Sequence, residues 1–72
     1  MSNPFEILGL PLAFDVTPAQ VSAAHLRVAA RLHPDRARDP LERDELLRRA
    51  AEAGAAKARL LGDVGRAEAL LE

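Results

Sequence analysis

The chain predicts an all-α fold. Three observations carry this: one helix-start signature recurs three times, apolar residues between the starts repeat at three- and four-residue spacing, and no run alternates apolar and polar residues as a strand would. The expected architecture is a long antiparallel helical hairpin, about 18–32 and 40–61, with short flanking helices over about 4–9 and 63–71.

The signature is a capping residue, a proline at the first helical position, and Glu or Gln three residues after the cap. It reads Asn3-Pro4-Phe5-Glu6, then Thr17-Pro18-Ala19-Gln20, then Asp39-Pro40-Leu41-Glu42. A cap oxygen accepts one of the orphan N–H groups of the first turn, and proline at that place gives up an N–H that would be unpaired anyway. The first helix carries Phe5, Ile7 and Leu8 and is closed by Gly9, with Pro11 beyond it. The second ends near Leu32, because the residue before Pro34 is pushed out of the helical region.

The third helix follows Asp39 and runs to Leu61, where Gly62 supplies a left-handed stop. On its exposed face the acid-first pairs Asp44 with Arg48 and Glu45 with Arg49 have stabilising i,i+4 spacing. Asp63 is expected to cap the fourth helix. In the second helix Val21, Ala24, His25, Val28 and Leu32 form one stripe, faced by Leu46, Leu47, Ala50, Ala53, Gly54, Leu60 and Leu61 of the third. The six residues His33 to Arg38 allow only a tight, antiparallel reversal, and small residues at the contact let the backbones approach. Phe5 and Phe14 are the only aromatics, so the core is thin and its stability a few kcal/mol.

Composition narrows function. Seventy-two residues read as one domain, 1–72, too small for a large enclosed active site. With no cysteine, disulfides and thiolate metal sites are excluded, which suits a reducing compartment and a cytoplasmic address. No apolar run reaches the roughly 18 residues of a membrane span, and no secretory signal opens the chain. A net charge of -1 argues against general nucleic-acid binding. His25 and His33 lie eight helical residues apart and cannot share a metal, so neither metal nor cofactor is expected. Ser2 and Ser22 are the only serines, and neither joins a catalytic constellation.

The most informative segment is His33-Pro34-Asp35, between the two long helices. Beside it Arg27 and Arg31 share a helix face with Gln20, and no acid occurs between Val16 and Pro34. This is a local positive patch suited to steering an acidic partner.

The chain resembles a J-domain, the module with which DnaJ-type co-chaperones engage DnaK-type heat-shock chaperones. Asn3 to Leu10 is similar to the family's opening helix, and Val21 to Leu32 with His33-Pro34-Asp35-Arg36 to its second helix and signature loop. A finer resemblance is to the HscB type of iron–sulfur cluster assembly, through Pro11 to Val16 and Arg66 to Leu71. The chain departs from the family at His25, where a tyrosine is common, and at Lys57, in a region that commonly carries an aromatic.

The resemblance implies a monomeric, non-enzymatic co-chaperone that binds a DnaK-type chaperone and stimulates its ATP hydrolysis. His33 would supply packing and a hydrogen-bonding edge, Pro34 would fix the loop, and Asp35 would pair with a basic group of the partner. Arg27, Arg31 and Arg36 would complete the partner-binding set. The alternative is a J-domain-like helical adaptor that binds another protein through the Arg27/Arg31 face without stimulating an ATPase.

Overall fold

A computed structural model describes residues 3–71 and contains four α-helices, α1 (Pro4–Ile7), α2 (Pro18–Arg31), α3 (Pro40–Leu61) and α4 (Asp63–Leu70), with a 3-10 turn at Pro34–Arg36. Among these residues there is no strand. The antiparallel α2–α3 hairpin sets the shape. At 1.5 Å per residue α3 is about 33 Å long, most of the 39 Å longest dimension.

All three helix starts are capped as their sequences require. Asn3 accepts the Phe5 N–H at 2.9 Å, Thr17 Oγ1 the Gln20 N–H at 3.1 Å, and Asp39 Oδ1 the Glu42 N–H at 2.8 Å. The reciprocal bond, from the Thr17 N–H to Gln20 Oε1, completes the box at α2. The first helix is shorter than the 4–9 expected and ends at Ile7. Gly9, at φ 68°, lets the chain fold back so that its N–H reaches Glu6 O and the Leu10 N–H reaches Phe5 O. This paired closure of the last carbonyls is what a left-handed glycine permits.

The core consists of Phe5, Leu8, Val16, Val21, Ala24, Ala53, Ala56, Leu60 and Ala69. Ala24, Ala53, Ala56 and Ala69 are buried in it beside the larger Phe5, Leu8, Val21 and Leu60, and small side chains of this kind let packed helices approach closely. Gly54 is not part of that close approach: a Cβ built on it meets nothing within 4 Å. Leu47 and Leu61, expected inside, are 45% and 41% exposed. Ala56 takes the buried position instead.

The junction between α3 and α4 also differs from the expectation. Gly62 is extended (φ −95°, ψ 141°) and serves both helices as a cap, so no left-handed stop is used. Asp63 is the first residue of α4 rather than its cap, and its carboxylate accepts from Arg66 Nη2 at 2.8 Å. An acid there still complements the helix dipole. The tight position is Gly65, where a Cβ would lie 2.4 Å from the Arg59 carbonyl oxygen.

Arg66 is buried. Its Nη1 donates to Leu60 O at 3.3 Å, and its guanidinium lies 4.6 Å from the centre of the Phe14 ring. Phe14 itself is half exposed, so the second aromatic is not core but the platform on which a buried cation rests. With the bond from Asn3 Nδ2 to Ala69 O, these contacts fasten α4 to the α1 end of the molecule and to the α1–α2 loop.

On the outer face of α3, Glu45 accepts from Arg48 at 2.6 Å and from Arg49 at 2.9 Å, while Arg48 also bonds Glu52. Arg48 thus turns to Glu45 and Glu52 rather than to Asp44. The Arg48 bond, then the Arg49 bond, holds the Glu45 carboxyl below its ordinary range. A lowered carboxylate pKa stabilises the fold above the ordinary carboxylate range, and that contribution is lost as pH falls through the lowered value. These groups are at the surface and are screened. Glu45→Gln is therefore expected to lower the thermal midpoint slightly at neutral pH and low salt. Melting curves should converge with wild type in acid and at about 1 M salt, where the screening length is about 3 Å.

Candidate partner-binding site

The site is built where α2 stops. Pro34 cannot continue a helix begun upstream, and its fixed φ starts the 3-10 turn instead. His33 precedes it in extended conformation (φ −61°, ψ 132°) and caps the turn, its Nδ1 accepting the Asp35 N–H at 3.2 Å. The Arg36 N–H reaches His33 O and the Ala37 N–H reaches Pro34 O, both at 3.0 Å.

The capping bond has a chemical consequence. A ring nitrogen that accepts an N–H carries no proton, so the His33 proton sits on Nε2, which remains available to donate. The Asp35 carboxylate lies 3.5 Å from the same Nδ1. The side chains of His33 and Asp35 are 61% and 91% exposed. One donor edge and one carboxylate are thus displayed on a turn whose backbone bonds are satisfied internally.

Arg27 and Arg31 are exposed on α2 together with Gln20, so the three stand on one outer face. Arg31 also lies in the last turn, where a cation favours the helix dipole. Arg36 is placed differently from a residue reaching outward: its Nε donates to Ala30 O at 3.0 Å, across the end of α2. Pro34 is half-buried and forms one wall of a shallow depression of about 270 Å³ that continues over Ala37 and Arg38 to Pro40 and Arg43.

Two exposed leucines flank this region. Leu26 is 69% exposed on α2, so α1 does not cover it, and Leu41 is 81% exposed in the first turn of α3. Leu41 was absent from the sequence-derived set, although its angle was informative: it falls roughly 120° around the helix from Ala53. Among the described residues, no three metal-ligating side chains converge, and no helix is long and apolar enough to cross a membrane. Ser2 lies outside the described residues.

No protein-family model matches the chain, and no solved structure matches it significantly. Over 71 residues it is 39% identical to the co-chaperone protein HscB homolog of Aliivibrio salmonicida (strain LFI1238). The match covers 96% of this chain and 42% of that protein, so the chain spans about two fifths of the curated relative's length. Over nearly all of its length, the chain is similar to a part of that HscB homolog.

Proposed function

We propose that this chain is a J-domain of the HscB type, which binds a DnaK-type chaperone through His33-Pro34-Asp35 and stimulates its ATP hydrolysis without itself being an enzyme. The observation that carries the reading is the tripeptide on an exposed, internally bonded turn at the tip of a helical hairpin. The similarity to a co-chaperone protein HscB homolog supports the same reading, and the resemblance to the HscB type extends the proposal to iron–sulfur cluster assembly.

The placement of the residues supports the following division of labour. Asp35 offers a carboxylate to a basic group of the chaperone and His33 offers Nε2–H. Pro34 sets the turn that presents both. Arg27 and Arg31 lie on an outward face of α2 that carries no acid, and they raise the association rate with an acidic surface in a salt-dependent way. Nothing at the turn resembles a nucleophile held by a base, which favours action through the partner's own active site.

Single-turnover ATP hydrolysis by a DnaK-type chaperone, measured with and without this chain, tests the proposal. Acceleration that saturates with added chain is expected. If no DnaK-type chaperone of the same organism responds, even with a client peptide present, the proposal fails.

A further inference from the structure

The end of α2 lacks the usual means of closing a helix. The final carbonyls of a helix have no partner within it, and a left-handed glycine commonly turns the chain back to meet them. Here the residues after α2 are Leu32 at φ −99° and His33 at φ −61°. Among the described residues only Gly9 has a positive φ. The Leu32 N–H serves Val28 O and Ala29 O. The next carbonyl, Ala30 O, takes its hydrogen bond from the Arg36 side chain.

That bond closes a ring through residues 30–36, and the ring contains the whole His-Pro-Asp tripeptide. The other recorded bonds of the turn are internal to it: Asp35 N–H to His33 Nδ1, Arg36 N–H to His33 O, and Ala37 N–H to Pro34 O. These fix the shape of the turn but not its tilt against α2. Among the described residues, the Arg36 bond is the side-chain hydrogen bond that joins the turn to that helix.

We infer that Arg36 is a positioning residue, whose guanidinium clamps the turn onto the end of α2 and so sets the direction in which His33 and Asp35 face a partner; this rests on the co-chaperone reading above. The chemistry suits the task. A cation at a helix C-terminus is favoured by the dipole. A planar guanidinium donates in a fixed direction from Nε, whereas an ammonium is a rotating point charge. Arg36 therefore works inward, while Arg27 and Arg31 present charge outward.

The test compares wild type with Arg36→Ala and Arg36→Lys, first by amide chemical shifts and hydrogen exchange, then in the single-turnover assay. Clamp loss is expected to shift the Asp35 and Ala37 amides and to speed their exchange, in the Lys variant as well as the Ala variant. In the assay it should raise the half-saturating concentration about three- to tenfold at an unchanged plateau, because only a fraction of turns then face correctly. The dependence of that concentration on salt should match wild type. Unmoved turn amides in Arg36→Ala, full restoration by Arg36→Lys, or a weakened salt dependence would each overturn the inference, the last marking a direct charge contact. If wild type gives no stimulation, the co-chaperone reading falls, and the amide comparison alone still decides the clamp.

Discussion

Asp35→Asn is expected to abolish stimulation of a DnaK-type chaperone at concentrations that saturate with wild type, and to leave the fold unchanged. The side chain is 91% exposed and approaches His33 Nδ1 at 3.5 Å. The Asp35 bond that shapes the turn comes from its backbone N–H, which asparagine retains. Stability should therefore stay within about 0.5 kcal/mol, as for surface substitutions generally. At an interface the balance reverses. Removing one member of a desolvated, hydrogen-bonded charge pair costs about 2–5 kcal/mol, or roughly 30-fold to several thousand-fold in affinity. Unchanged melting with lost stimulation is the expected pair of results. Stimulation equal to wild type would remove Asp35 from the site. Binding that persists without stimulation, and ignores Asp35, would favour the adaptor reading through Arg27 and Arg31.

Much of the fold was legible because its signals are local. A cap, a proline and a helical apolar stripe each act within a few residues, so the starts of α1, α2 and α3 were set by Asn3, Thr17 and Asp39. The tripeptide was visible for the same reason: Pro34 must interrupt the helical pattern wherever the rest of the chain goes. What sequence could not supply was anything decided by contact between distant elements. Leu47 and Leu61 have suitable chemistry for the core but stand on the wrong side of α3 once α1 and α4 have taken their places. Phe14 looked like core because it is aromatic, yet its role depends on a guanidinium 52 positions away in the chain. Arg36, which follows the signature, was expected from the family resemblance to join Arg27 and Arg31 in the partner-binding set. Its bond to Ala30 O appears only when the turn folds back over the helix end.

Gly62 is not the left-handed stop expected of it, and the constrained glycine of this junction is Gly65, which leads to the largest stability effect expected of a small substitution. Gly65→Ala should lower the thermal midpoint by roughly 5–20 °C, from a cost of about 1–3 kcal/mol for overpacking and a few degrees per kcal/mol in a domain this size. The added Cβ would sit 2.4 Å from the Arg59 carbonyl oxygen, and 3.2 Å and 3.3 Å from the C and Cα atoms of the same residue. All three are backbone atoms in the last turn of α3, which cannot rotate aside as a side chain would. The relief available is for α4 to lift, and lifting strains the Arg66 bond to Leu60 O, the Arg66–Phe14 stack and the Asn3 bond to Ala69 O together. Gly54→Ala makes the identical chemical change inside α3, where the Cβ meets nothing within 4 Å. There the gain in helix propensity acts alone and should stabilise by about 0.5–1 kcal/mol. Thermal melts of the two variants should thus move in opposite directions from wild type. Equal shifts, or a Gly65→Ala midpoint at the wild-type value, would mean that α4 does not cross α3 at backbone contact.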